Sequence, residues 1–485
     1  MSRSIVDLRP VLRVVGTLLC VLAVPMLMTA ALDANVGNPD WHVFLASTVI
    51  TVAFGGALIL SNAGQGQVRL TLRQAFLMTS LSWVAISAFG AIPFLGLGLD
   101  YTDALFESIS GLTTTGSTIL TGLDTLPPGI LFWRALLNWI GGVGIILMAI
   151  IILPLLRIGG MQLFQTESSE RSEKIIARPL QLARWIASVY LLLTFVCALL
   201  YRAAGMSGFD AICHAMSTLA TAGYSTHDAS FVYFNSNAVQ WVGTLFMLAG
   251  ALPFVAYIRL LRGNVTALAT DPQIRVLTLF LAVVSFGLGL WHSITGHVPL
   301  FDALTKAAFN VTSIVTTTGY SSDDYGLWGA PAVGVFLILL FVGGCTGSTA
   351  GGIKIYRFQI LGRVIKAHLT RLVSPHQVIL LTYGDRRVTE DVTFSVLAFV
   401  AVYMATIAIG TILLTALGLD LVTAFSATAT ALGNVGPGLG EIIGPSGNFS
   451  TLPDAAKWIL SGAMLLGRLE IFTILVLLAP RFWRT

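Results

Sequence analysis

A chain of 485 residues that is 55% hydrophobic but only 10% charged is no ordinary soluble domain, in which about a quarter of the residues carry charge. Its mean hydropathy of +0.84 and its repeated apolar runs, near the roughly 20 residues that cross a bilayer, specify an all-α polytopic membrane protein; a β-barrel, whose strands need only about 10, is excluded. The formal net charge of +4 does not point to nucleic acid, because the basic excess lies between the apolar runs and no basic patch with interleaved aromatics occurs.

In chain order, spans are predicted at 11–32, 41–61, 73–97, 130–156, 181–203, 236–260, 275–293, 331–361, 392–418 and 455–480. The first follows Arg3, Arg9 and Arg13 and ends in Thr29-Ala30-Ala31. It is longer than the 7–15 residue apolar region of a signal peptide, about half as long again at least, and a second span follows, so it reads as a retained helix. Cys20, Cys197, Cys213 and Cys345 are scattered through apolar segments without CxxC or HxxxH neighbours, which makes them packing residues and not a disulfide framework.

Placing both termini in the cytoplasm puts nearly all Lys and Arg on that side. Only Arg134, Arg202, Lys306 and Lys457 then fall outside, while Lys354 and Arg468 fall within spans. The positive-inside rule selects this orientation. Acids crowd the outer segments, among them Asp100, Asp103, Glu107, Asp124, Asp210, Asp228, Asp302, Asp323, Asp324, Asp420, Glu441 and Asp454, an arrangement expected to raise local cation concentration.

Four outer segments share one template. They run Ser108–Gly116 (SISGLTTTG), Ala215–Gly223 (AMSTLATAG), Val311–Gly319 (VTSIVTTTG) and Thr428–Gly436 (TATALGNVG). A small hydroxyl lies six before each glycine (Ser110, Ser217, Ser313, Thr430), an aliphatic four before (Leu112, Leu219, Val315, Leu432), and Thr or Asn two before (Thr114, Thr221, Thr317, Asn434). Repeats of this kind define the domain plan: an N-terminal two-helix addition at 1–67, then units at 68–160, 161–265, 266–372 and 373–485. Each unit is span, short outer helix, glycine loop, span. The short helices follow Asp103, Asp210, Asp302 and Asp420, which suit N-caps or first-turn acids.

Helices of about ten residues cannot cross a bilayer, and non-helical backbone at membrane depth is tolerated only where it is buried or lines a water-filled path. Four such loops converging on one axis would line a path. A K⁺ ion entering it exchanges hydration oxygens for stacked backbone carbonyls. Glycine permits the angles that let consecutive carbonyls point one way, Thr adds hydroxyl oxygens, and the C-terminal ends of the short helices point negative charge inward. The stretches Thr114-Thr115-Gly116, Thr221-Ala222-Gly223, Thr317-Thr318-Gly319 and Asn434-Val435-Gly436 are therefore read as a K⁺ selectivity filter. A turn such as TTTG is commonplace singly; four in register are not.

On these loops, on GGCTGSTAGGIKIYR (343–357) and on the terminal MLLGRLEIFTILVLLAPRFWR (464–484), the chain resembles the Trk/Ktr/HKT superfamily of potassium transporters over essentially its whole length, most closely the bacterial TrkH branch. The span pair at 11–61 resembles the N-terminal addition of that branch. The resemblance implies four M1–P–M2 units around one pore, with re-entrant pore helices, in a homodimer that sits in a bacterial inner membrane and binds a cytosolic nucleotide-binding regulatory subunit, TrkA-like. It implies the filter role for Gly116, Gly223, Gly319 and Gly436. Relatives with Ser in the first loop favour Na⁺, so Gly116 implies K⁺ preference, with Rb⁺ accepted.

The eighth span is interrupted by Gly343-Gly344-Cys345-Thr346-Gly347-Ser348-Thr349-Ala350-Gly351-Gly352. Each of its five glycines costs a helix about 1 kcal/mol relative to alanine, and family members use this segment as an intramembrane loop, so it is read as a gate below the filter. It is not a P-loop, since Ile353 separates Gly352 from Lys354. Arg468, an ionisable residue in mid-span, is expected below the filter near this loop as an electrostatic barrier; Glu470, two residues on, does not share its helix face. Lys354 lies near the cytoplasmic end and could snorkel.

Histidines 42, 214, 227, 292, 297, 368 and 376 form no ligand or catalytic set, so neither an enzyme nor an organic cofactor is predicted; K⁺ is the transported ion. A potential of 100 mV supplies about 2.3 kcal/mol per charge, enough for roughly fiftyfold accumulation. Gated, channel-like conduction follows, with K⁺/H⁺ or K⁺/Na⁺ symport and a non-conducting receptor or scaffold as the alternatives.

Overall fold

The computed structural model describes residues 7–63, 71–152, 179–377, 379–384 and 386–483. Helices Arg9–Val36 and Trp41–Ser61 form a hairpin turned by Gly37 in the left-handed region. Their backbones touch: a Cβ on Gly16 would lie 2.6 Å from the Gly55 carbonyl oxygen, and one on Gly55 2.8 Å from that of Gly16. Close crossing at small residues is the usual way membrane helices gain contact. The pair is pinned to the first repeat where Asp33, buried, accepts a 2.7 Å hydrogen bond from the Gly129 amide.

Four units follow. Their first helices are Leu72–Gly90, Pro179–Ala203, Pro272–Gly296 and Glu390–Ala416; their short outer helices are Tyr101–Leu112, Gly208–Leu219, Leu300–Val315 and Leu421–Gly433; their second helices are Pro128–Leu147, Asn237–Ala251, Ala330–Leu339 and Asp454–Arg468. The outer helices start before the acids expected to precede three of them. Asp103, Asp210 and Asp302 lie in first turns, the cap of the second is Ser207, and only Asp420 is itself an N-cap, accepting 3.0 Å from the Thr423 amide.

Seven helices among the described residues are long and apolar enough to cross a membrane, and counting each of two bent pairs as one span gives nine. The ten predicted spans need correcting at the second helices of the last three units, each of which is broken, whereas that of the first unit is continuous over Pro128–Ile150. The first passes into a π-helical turn at Met148–Ile152, beyond which the predicted end at 156 lies outside the described residues. The second bends by 94° between Asn237–Ala251 and Phe254–Leu261, and the fourth by 110° between Asp454–Arg468 and Ile471–Leu478. The third ends at Leu339, and a non-helical hairpin precedes helix Ile355–Val373, so 331–361 is not one span. Hydropathy cannot register such breaks, because the residues on both sides remain apolar.

The freed backbone groups find partners in the hairpin, as burial in an apolar surround demands. Cys345 and Thr349 amides donate to the carbonyls of Ala251 (3.0 Å) and Gly250 (3.2 Å), and the Phe254 amide donates to Gly347 (3.0 Å). Pro253 at that bend has no amide to orphan. A two-stranded hairpin, Thr382–Tyr383 with Arg386–Arg387, is the one small sheet among the described residues and was not expected.

Candidate ion-conducting site

Each short helix ends the same way. The amides of Thr115, Ala222, Thr318 and Val435 donate to the carbonyls of Ser110, Ser217, Ser313 and Thr430, at 2.9, 3.0, 2.7 and 3.0 Å, and the amides of Thr114, Thr221, Thr317 and Asn434 reach back three residues. This is the Schellman closure, which needs a left-handed residue after the helix. That residue is Thr114 (φ 52°), Thr221 (49°), Thr317 (58°) or Asn434 (54°). Asn tolerates the conformation, but a β-branched Thr there is a backbone outlier of order 1–3 kcal/mol, and such strain concentrates at functional sites.

Two residues later stand Gly116, Gly223 and Gly319, each at φ 85°, and Gly436 at 115°. A Cβ on Gly116 would lie 2.1 Å from the carbonyl oxygen of Ala222, on Gly223 2.0 Å from that of Thr318, on Gly319 2.2 Å from that of Val435, and on Gly436 2.9 Å from that of Thr115. The contacts run from loop one to two, two to three, three to four and four back to one. The predicted residues thus form a closed ring of backbone, which side chains at the glycines would break. All eight residues flanking these glycines on the N-terminal side, from Thr114-Thr115 to Asn434-Val435, are fully buried.

The second helices approach the ring through glycine. A Cβ on Gly141 would meet the Leu112 carbonyl oxygen at 1.9 Å, one on Gly250 that of Leu219 at 2.8 Å, and one on Gly467 that of Leu432 at 1.9 Å. In the third repeat this place is taken by the hairpin.

Sequence reasoning missed the residues that hold the loop exits. Nine before the glycine stand Glu107, His214 and Asn310. Glu107, taken for an outer acid, accepts from the Thr118 hydroxyl and Ile119 amide at 3.0 Å; His214 bonds the Ser225 hydroxyl at 3.0 Å; Asn310 bonds both hydroxyl and amide of Ser322 at 3.1 Å. Ala427 stands there in the fourth repeat, and Ser426 accepts from the Leu439 amide at 2.9 Å instead. The common offset of nine was legible but had no chemistry attached to it. The residue after each of the first three glycines also bridges repeats: Ser117 donates to the Gly436 carbonyl (2.8 Å), Tyr224 to that of Glu107 (2.7 Å) and Tyr320 to that of His214 (3.3 Å).

The hairpin 343–352 is buried but for Gly352 and touches two left-handed threonines of the ring. The Gly351 amide donates to the Thr317 hydroxyl at 2.6 Å, and the hydroxyls of Thr221 and Thr349 are 3.1 Å apart. Arg468, buried, donates to the Thr349 carbonyl at 2.8 Å. Glu470 pairs instead with Arg357 at 2.7 Å, as the two-residue spacing required. Lys354 does not snorkel: it is buried, its ammonium against the Ala350 carbonyl. It shares with Arg468 and Glu470 a cavity of about 20 Å³, room for about one water.

The expected outer acidic field is largely committed to structure. Asp103 pairs with Lys457, Asp323 with Lys306 at 2.9 Å, and Asp124 with His227. Arg134, expected outside, is buried against Glu107. Among the described residues no group of three or more His, Cys, Asp or Glu could hold a metal ion; the oxygens at the ring are carbonyls and hydroxyls.

The family model of a cation transport protein, TrkH, matches residues 41–485. The chain is 47% identical to the Trk system potassium uptake protein TrkI of Halomonas elongata, over 98% of this chain and 97% of that one. It is 36% identical to the Trk system potassium uptake protein TrkH of Escherichia coli, over 98% and 99%. The crystal structure of the potassium transporter TrkH from Vibrio parahaemolyticus superposes with a TM-score of 0.90 at 36% identity, covering 99% of this chain and all of that one.

Proposed function

The chain belongs to the TrkH family of cation transport proteins, and from that premise we propose that it is the K⁺-conducting membrane subunit of a potassium uptake system. The observation that carries this reading is the closed ring in which each of Gly116, Gly223, Gly319 and Gly436 abuts a carbonyl of the next loop. Four loops in cyclic contact supply carbonyl oxygens in place of a hydration shell, and glycine in the first loop supports K⁺ over Na⁺.

The hairpin 343–352 is the gate in this reading. It is buried below the ring, bonded to Thr317 and Thr221, and held by Arg468, whose charge stands as a barrier to cations. Conduction through it is passive: the buried carboxylates Glu107 and Glu470 are each paired with an arginine and so are poorly suited to relay protons. The protein sits in a bacterial inner membrane with both termini cytoplasmic, as a homodimer docked on a TrkA-like subunit. The charge asymmetry of its loops and the family resemblance support these assignments.

Purified protein in liposomes, assayed for radioactive Rb⁺ uptake driven by a K⁺ gradient, tests the proposal. Uptake inhibited by K⁺ and weakly by Na⁺ is expected, with conduction increased by the regulatory subunit. No uptake with that subunit present would overturn it.

A further inference from the structure

We propose that the buried ion pair Glu107–Arg134 is a positioning element that locks the exits of the first two glycine loops together and thereby sets ion selectivity. This inference rests on the ring being the conducting filter.

The geometry is specific. The Glu107 carboxylate lies on the short helix of the first repeat and is fully buried; Arg134, on the second helix, is 1% exposed, and the pair meets at 2.8 Å. Glu107 holds its own loop through the Thr118 hydroxyl and the Ile119 amide. Arg134 does not stop at Glu107. One guanidinium nitrogen donates to the Ser225 carbonyl, two residues past Gly223, at 2.8 Å, and another to the Thr118 hydroxyl at 3.1 Å. The guanidinium also lies 4.1 Å from the centre of the Tyr224 ring, and the Tyr224 hydroxyl returns to the Glu107 carbonyl. The circuit therefore closes across two loops.

A buried charge pair is a poor way to gain stability, since desolvation offsets much of the attraction. Its distinctive property is geometric: a planar guanidinium with several donors fixes its partners in direction as well as distance. The comparable positions in repeats two and three hold His214 and uncharged Asn310, whose side chains clamp only their own loops. Of these three side chains, Glu107 alone is joined through an ion-pair partner, Arg134, to a second loop. A loop ring whose exits are free to spread by a fraction of an ångström would admit ions of other radii equally well.

The test compares K⁺ and Na⁺ inhibition of Rb⁺ uptake in liposomes for wild type, the double variant E107Q/R134M and T118V. The double variant removes both charges and so leaves none buried alone; T118V removes only the shared hydroxyl. Both should elute as folded protein, and the K⁺-over-Na⁺ preference should fall by roughly tenfold in the double variant and by a smaller factor in T118V. A purely structural role would lower thermal stability and leave the preference untouched. Unchanged preference in either folded variant overturns the inference. If the wild type itself takes up no Rb⁺ with its regulatory subunit, the conduction reading fails instead.

Discussion

Arg468 donates a 2.8 Å hydrogen bond to the carbonyl of Thr349, joining the bent second helix of the last repeat to the middle of the glycine hairpin. The same Thr349 contacts Thr221 of the ring and, through its hydroxyl and amide, Gly250. Removing the guanidinium should free the hairpin and remove a cationic barrier together. Arg468→Ala is expected to raise Rb⁺ uptake by roughly threefold or more at equal protein content. Uptake equal to wild type would show that the hairpin is held elsewhere.

The ring predicts a graded response to added side chains. A Cβ on Gly319 would meet a carbonyl oxygen at 2.2 Å but on Gly436 at 2.9 Å. Gly319→Ser should lower the K⁺-over-Na⁺ preference by about tenfold, and Gly436→Ser should do so less. The inhibition assay with both ions gives the ratio directly; equal effects would mean that the ring tolerates displacement alike at both places.

Gly141 and Gly467 are packing positions outside the ring, where a Cβ would lie only 1.9 Å from a backbone carbonyl oxygen. Backbone cannot yield as a side chain does, so Gly141→Ala should destabilise by about 1–3 kcal/mol as overpacking. A lowered thermal midpoint in detergent is the readout, with Gly56→Ala, where a Cβ meets nothing within 4 Å, as the neutral control.

The pair Arg357–Glu470 is buried, and Arg357 also lies 3.6 Å from the centre of the Phe399 ring. Breaking it from one side leaves a lone buried charge, at a cost of about 3–5 kcal/mol, whereas removing both charges costs far less. Expression and thermal midpoint should fall in Glu470→Gln and recover in Glu470→Gln with Arg357→Met. No recovery would place the loss in the bend at Glu470 and not in the charge.

Beside the loop ring, the His227 ring nitrogen bonded to Asp124 holds that carboxyl below its ordinary range. A carboxylate with a depressed folded value adds stability above its unfolded value and loses it as pH falls through the folded one. The loops that carry Asp124 and His227 should therefore loosen below the ordinary carboxylate range, near pH 4, and Asp124→Asn should flatten that part of the thermal profile. An identical acid slope in the variant would exclude this pair as its source.

Two kinds of error in reading the sequence have one origin. Glu107 was read as an outer-segment acid, Arg134 as an outside cation and Lys354 at a snorkelling depth, because a hydropathy window averages neighbours along the chain while the partners of these residues come from other segments. The bends after Ala251 and Arg468 were invisible for the same reason: a broken helix in an apolar run is tolerated only if its freed backbone groups find partners, and at Ala251 those partners come from the distant hairpin.

The amino-acid sequence by itself determined the all-α membrane class, the fourfold unit, the register of Gly116, Gly223, Gly319 and Gly436, and the interruption at 343–352, because each is written in local periodicity or in a spacing repeated along the chain. Tertiary structure alone decided that the loops close in cyclic order, that Thr114, Thr221 and Thr317 are held left-handed, and that Arg468 reaches Thr349. The ring and the Arg468 contact are relations between distant segments of the chain, whose energy exists only once packing has excluded water from the groups that meet; the left-handed turns close locally, and their strain is held in that packed setting.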